Sequence, residues 1–148
     1  MYVLDTDHLS LLDHRGSLDR QRLLRKLKLV AAEGVSTTIV TFEEQMRGRL
    51  AYLSRARTMA GQIEGYRRLR EHLDNYCSTI VSGFDEHAAE EFQRLKAARP
   101  RVGTMDLKIA AIVLANNATL LSRNLRDFGG LPNLRVEDWI SPTNFASL

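Results

Sequence analysis

The chain has 148 residues, 44% of them hydrophobic and 26% charged, the balance of a fold that buries a core without disulfide or metal staples. With 3 prolines, 9 glycines and no long polar tract, composition excludes a disordered chain. The longest strongly apolar run, Ile109 to Ala115, has 7 residues where a membrane span needs about 20, and the net charge of +3 selects no partner by itself.

Tyr2-Val3-Leu4 is a short apolar run ending in acids and predicts a buried first strand. A helix follows through Leu9, Leu11 and Leu12, capped by Thr6 or Asp7. The spacing of Leu18, Leu23, Leu24, Leu27, Val30 and Ala31 predicts a helix that Gly34 stops. Val35 to Val40 is rich in β-branched residues and predicts a second strand. Thr41 with Glu44 three residues on reads as a capping box opening the next helix. Residues 41 to about 77 predict two helices with a break near Ser54–Thr58, and Gly61 and Gly65 are weak points. Thr79 to Phe84 is a third strand, and Asp85 caps a helix to Ala98 with Ala88, Ala89, Phe92 and Leu95 inward. Leu107 to Ala115 is a helix apolar all round, hence buried on most sides. Ala118 to Ser122 and Leu134 to Val136 complete five strands, and Trp139 is placed in the core.

Strands alternating with helices predict a parallel α/β sheet in one unit, residues 1–148. Ligands of such sheets sit beyond the carboxyl ends of the strands. Five acids map to that edge: Asp5 and Asp7 after strand one, Glu44 after strand two, Asp106 opening the apolar helix, and Asp127 after strand four. Like charges 4 Å apart repel by about 4 kcal/mol at an effective dielectric of 20. Such a cluster raises its own pKa values or holds a cation. All-oxygen donors select Mg²⁺ or Mn²⁺, which supports phosphate chemistry through an activated water. Each acid also has a structural reading. Asp7 serves as a helix cap, Glu44 as the capping-box partner with Glu43 as its competitor, Asp106 as a first-turn acid on the helix dipole, and Asp127 as a cap before Gly129. Asp5 is the hardest to read that way, because it would be buried unpaired.

The basic residues are clustered. From Arg47 to His72 there are seven arginines against two glutamates, and from Arg15 to Lys28 six basic residues against Asp19. They suit a polyanion or are solvated helix faces. The four histidines, His8, His14, His72 and His87, have no metal-ligand spacing. The single cysteine, Cys77, allows no intrachain disulfide, fits a reducing cytoplasm and is assigned to buried packing. Asp5 and Asp7 stand where a secretory signal would be basic and then apolar, so none is expected.

At these residues the sequence resembles the PIN-domain ribonucleases, and among them the VapC toxins of toxin–antitoxin pairs. The segments that carry the likeness are Tyr2-Val3-Leu4-Asp5-Thr6-Asp7, Thr41-Phe42-Glu43-Glu44 with Gly48, Asp106-Leu107-Lys108-Ile109-Ala110-Ala111, and Leu120-Leu121-Ser122-Arg123-Asn124 with Asp127-Phe128. The tail from Leu131 to Trp139 is similar too. The resemblance implies a three-layer α/β/α fold with about five short parallel strands and a helical lobe. It implies an Mg²⁺- or Mn²⁺-dependent endoribonuclease that cuts RNA (tRNA or rRNA) and inhibits translation. A VapB-type antitoxin, a homodimer and a cytoplasmic location without membrane contact follow with it. It selects Glu44 over Glu43 and makes Asp5, Glu44, Asp106 and Asp127 the catalytic, metal-holding quartet. Thr6, Asp7, Ser122 and Asn124 would support them, and Arg123, Arg47 and Arg49 would be available to RNA. Three positions depart from the pattern: Asp7 where Asn is frequent, Gln45 where Leu is usual, and Arg123 where Asn is common.

Two other classes are weighed. Asp5-Thr6-Asp7 also resembles the opening of haloacid-dehalogenase-like phosphatases, with Asp5 as nucleophile, but Leu9 and the absence of an acid pair between Ser122 and Asp127 do not fit. A non-catalytic docking module on the same fold would be free to lose acids that this chain keeps. DNA in place of RNA stays open.

Overall fold

The computed structural model describes residues 1–98 and 100–142. Five strands, β1 (Tyr2–Leu4), β2 (Val35–Thr38), β3 (Val81–Ser82), β4 (Thr119–Leu121) and β5 (Arg135–Glu137), form one parallel sheet in the order β3-β2-β1-β4-β5. Among the described residues seven helices connect them: α1 (Thr6–Leu12), α2 (Leu18–Leu29), α3 (Ile39–Arg55), α4 (Met59–Cys77), α5 (Glu86–Ala97), α6 (Thr104–Ala115) and α7 (Leu125–Phe128). Right-handed crossovers put α1 to α4 on one face and α5 and α6 on the other, giving three layers.

The strand order turns around at β1. Its neighbours are β2 and β4, with Val3 opposite Ser36 on one side and Leu120 on the other. The carboxyl ends of β1 and β4 therefore lie side by side at the switch point, where open α/β sheets bind ligands. The core beneath is fully buried Val3, Leu120, Phe128 and the run Ile109 to Val113 of α6. Six of the seven residues of α6 from Leu107 to Val113 are buried, all but Lys108, as its all-round apolarity requires.

The structure moves several boundaries. Ile39 and Val40 belong to α3 rather than to β2, and the N-cap is Thr38, whose hydroxyl accepts from the Thr41 amide. Thr41 is buried inside the helix and bonds the Thr38 hydroxyl at 3.0 Å. The capping box at Thr41–Glu44 is thus replaced by a cap three residues earlier, which frees Glu44 from a capping role. At α1 the capping position is Asp5 itself, whose side chain makes no capping bond; neither Thr6 nor Asp7 caps. α2 ends at Leu29, and a single 3-10 turn, Ala31–Glu33, leads into Gly34 at φ 84°, a conformation that costs glycine nothing. β3 shrinks to two residues, and β5 begins one residue late.

Gly61 and Gly65 do not interrupt α4. Gly65 is buried where α4 crosses α3, and a Cβ there would stand 2.5 Å from Leu53 Cδ2. Cys77 is exposed, because it falls in the last turn of α4 on the solvent side. Trp139 is only half-buried and lies against Tyr2 at 5.0 Å; Ile140 takes the core position instead.

Candidate active site

The site grows from the ends of β1, β2 and β4 and the start of α6. Asp5 leaves β1 with its amide bonded to the Leu121 carbonyl at 3.0 Å, so the sheet continues one residue past the strand. Only 8% of Asp5 is exposed. The Ser122 hydroxyl, fully buried, donates to its Oδ2 at 2.8 Å. Ser122 also accepts the Asn124 amide at 3.1 Å, which sets the loop leading to α7. Asn124 caps that helix and its side-chain Nδ2 donates to Asp127 Oδ2 at 3.2 Å. Glu44 projects from the second turn of α3, and the Thr6 hydroxyl donates to its Oε2 at 3.2 Å. Asp106 is half-buried in the first turn of α6.

The four acids form one chain of like charges. Burial pushes the Asp5 carboxyl above its usual value, the Ser122 hydroxyl pulls it down, and the charges of Asp7 and Asp106 push it up again. Asp106 is raised by burial and then by Glu44 and Asp127. Glu44 is raised by burial, against the Thr6 hydroxyl, with Asp5 and Glu43 adding to it. Arg47 opposes this rise at Glu44, but among the described residues none of the four acids is held in an ion pair. The coupling runs pair by pair: among the described residues, no three His, Cys, Asp or Glu side chains close into a ready-made cage.

Asp7 does something sequence left open. Its Oδ1 accepts a hydrogen bond from His8 Nδ1–H at 2.7 Å, and its Oδ2 accepts from the Arg123 backbone amide at 2.8 Å. The Trp139 amide donates to His8 Nε2 at 3.1 Å, which fixes the tautomer with the proton on Nδ1. Burial works against the charge of Asp7, but the His8 ring and the Arg123 amide outweigh it and hold this carboxyl below the usual range. Both oxygens are committed, so Asp7 ties α1 to the loop after β4 and to the start of the tail. His8, with no exposure, is a buried link in that chain.

The arginines fall into two groups. Arg47, Arg67, Arg68 and Arg70 each pair with an acid three or four residues away on their own helix, the arrangement of a solvated helix face. Arg123 is exposed on the loop beside the acids. Arg49 faces inward, and its Nε is buried without a partner. Gln45, at the position where leucine is usual in the resemblance, accepts the Tyr76 hydroxyl at 2.8 Å and reaches Ser10 at 3.4 Å. It joins α3 to both α4 and α1.

Comparison with known proteins agrees with this geometry. A family model described as the PIN domain matches residues 2–131. Ribonuclease VapC2 of Rickettsia felis is 45% identical over 38 residues, a stretch covering 26% of this chain and 28% of that relative. The match to the curated relative thus spans little more than a quarter of its length. Among solved structures, VapBC2 from Rickettsia felis bound to a promoter DNA fragment superposes with a TM-score of 0.71 at 22% identity, over 93% of this chain and 98% of that one. DNA-bound VapBC from Salmonella typhimurium gives 0.69 at 20% identity, over 93% and 97%. At these identities the two structures speak for the fold.

Proposed function

The chain belongs to the PIN-domain family, and on that footing we propose that it is a VapC-like, divalent-metal-dependent endoribonuclease toxin, which inhibits translation when free and is neutralised by a VapB-type antitoxin. The observation that carries this reading is the run of coupled acids Asp5, Glu44, Asp106 and Asp127 at the switch point of the sheet, none of them held in an ion pair among the described residues. The ribonuclease named among the relatives supports RNA over DNA as substrate.

The donor set fits Mg²⁺ or Mn²⁺. It is all oxygen, hard and partly buried. Asp5 and Asp106 would hold the ion, with Glu44 and Asp127 completing the set. When bound, such an ion makes water a better nucleophile and offsets charge on the phosphate. The remaining work belongs to the chain. Ser122 orients Asp5 and favours its ionised form, Thr6 does the same for Glu44, and Asn124 aims Asp127. Asp7 holds the Arg123 loop in place, so the exposed guanidinium stands where it meets a backbone phosphate.

The lobe of α3 and α4 suits protein partners. Met46, Leu50, Tyr66, Leu69 and Leu73 line an apolar groove of about 500 Å³, and Met59, Ile63, Tyr66 and Leu73 are all more than half exposed. Contiguous apolar surface of this kind marks an interaction face, which agrees with an antitoxin helix or a second copy of the chain. Among the described residues no helix is long and apolar enough to cross a membrane.

The test is cleavage of purified total RNA, and of RNA and DNA oligonucleotides of one sequence, by antitoxin-free protein with Mg²⁺, Mn²⁺ or EDTA. New 5′ ends at a few discrete RNA positions, lost in EDTA, are expected. Cleavage of DNA alone would move the substrate. A folded, antitoxin-free protein that cuts nothing would overturn the reading.

A further inference from the structure

Two buried side-chain polar atoms among the described residues have no hydrogen-bond partner, Arg49 Nε and His72 Nε2. Both residues line the same cavity, of about 220 Å³, between α1, α3 and the end of α4. Buried polar groups are nearly always satisfied, so two residues with unpaired atoms in the wall of one cavity set that wall apart. Asp13, Gln45, Asn75 and Tyr76 complete its polar wall.

The chemistry of that wall narrows the occupant. Arg49 brings a positive charge and an unused N–H. Asp13 brings a carboxylate, which accepts the Asn75 amide at 3.2 Å and forms no ion pair with Arg49. His72 is 2% exposed; burial and then the charge of Arg49 keep its imidazole below the usual range, so it is neutral, with one N–H and one lone pair. Phosphate would face Asp13, and a metal ion would face Arg49. A neutral planar group with acceptors along one edge and donors along another satisfies both. The aromatic side of the wall agrees. The His72 ring is packed between Phe42 at 5.0 Å and Tyr76 at 4.7 Å, which makes that side rigid, and proteins read single-stranded bases by edge-on hydrogen bonds as well as by stacking.

The cavity also senses the acids, since the charge of Glu44 acts on Tyr76 of its wall. Gln45 follows Glu44 on α3, and Leu9 and Leu12 of its lining lie about 6 and 10 Å along α1 from Asp5 at 1.5 Å per residue. We propose that this cavity takes one unstacked nucleobase of the RNA close to the cut, and that the base is guanine, with O6 and N7 toward Arg49 and the N1 and N2 hydrogens toward Asp13. This specificity pocket rests on the ribonuclease reading for its role, but its ligand can be tested without cleavage.

The experiment titrates the full chain in EDTA with guanosine, adenosine, cytidine and uridine, following the His72 and Tyr76 ring resonances by NMR. Guanosine should shift both saturably, at least tenfold more tightly than the others, and Arg49→Gln should lose that response while its circular dichroism is unchanged. In a second arm, RNA oligonucleotides varied base by base around the cut should require guanine at one fixed offset, and Arg49→Gln should lower that preference at least tenfold. No saturable shift with any nucleoside overturns the pocket and leaves a cavity holding only the several waters its volume admits, at about 30 Å³ each. A stronger response to another nucleoside overturns guanine. Guanosine binding by a chain that cuts no RNA upholds the pocket and removes the nuclease reading instead.

Discussion

The Ser122 hydroxyl donates to the Asp5 carboxylate at 2.8 Å across 117 residues of sequence. That bond joins the ends of β1 and β4, the two strands flanking the switch point, and both partners are buried. It gives Asp5 one fixed rotamer and one donor that favours its ionised form, against the burial that disfavours it.

Ser122→Ala should therefore raise the Asp5 pKa further and release the Asn124 amide that Ser122 accepts. Partners that orient metal-holding residues typically cost 10–100-fold in activity or metal affinity when removed. The expected result is a loss of about that size in RNA cleavage, with the acid limb of the pH profile moved to higher pH. An unchanged profile would mean that Asp5 is set by the backbone alone.

The pH dependence has a definite sign. Asp5, Glu44 and Asp106 all titrate above their ordinary values of 3.8 and 4.5. Cleavage needs them ionised, so activity should rise with pH through a window above those values and then level off. Stability in EDTA should run the other way. The folded state binds these protons more tightly than the unfolded chain, so these three groups favour the unfolded chain as pH rises and stop doing so as it falls. Cleavage and thermal melting measured over the same pH series would check both limbs.

Asp7 has the opposite sign. Its folded pKa lies below 3.8, so its contribution to stability is present at neutral pH and is lost as pH falls through that lower value. Asp7→Ala leaves the buried His8 Nδ1–H and the Arg123 amide without acceptors, and one unsatisfied buried group costs about 1–3 kcal/mol. For a chain of this size a loss of 1 kcal/mol lowers Tm by roughly 2–4 °C. Asp7→Asn keeps one acceptor and should lose less. Equal melting of all three proteins would show that the His8 link carries no weight.

Divalent metal should reverse the repulsion among the acids. Binding to the folded chain alone stabilises by about 2.7 kcal/mol at 100 times the dissociation constant. Mg²⁺ or Mn²⁺ should raise the Tm of the wild-type protein, and EDTA should return it. Asp106→Asn, which removes one charge of the chain, should melt higher than wild type in EDTA and respond less to the metal. A metal response of wild-type size in that variant would take Asp106 out of the set.

Much of the architecture was legible because its strands are short apolar runs ending in acids or small polar residues, and because α6 is apolar on every side. The helix boundary at Thr38 was not legible. Ile39 and Val40 favour strands locally, yet packing draws Val40 into the core as the first turn of α3. Glu44 was picked out in spite of a misplaced cap, since the register from Thr41 to Gly48 does not depend on where the helix starts. Asp7 read as a cap or a ligand because no local pattern announces a bond to the backbone of Arg123, 116 residues on. Residue type alone places Cys77 and Trp139 inward, yet Cys77 falls on the solvent side of α4 and Trp139, just past β5, is only half-buried. The cavity of Arg49 and His72 went unseen because three separate helices build it; Gln45, a polar residue where leucine is usual, was the one trace of it in the sequence.

The measurement that bears most directly on the account is RNA cleavage by Asp5→Asn beside wild type, in Mn²⁺ and in EDTA, with both proteins shown to be folded and free of antitoxin. The account predicts discrete cuts by wild type in Mn²⁺ only, and a loss of at least about 10³-fold in Asp5→Asn, a variant that melts no lower than wild type in EDTA. Cutting by Asp5→Asn at the wild-type rate would contradict the assignment of the site.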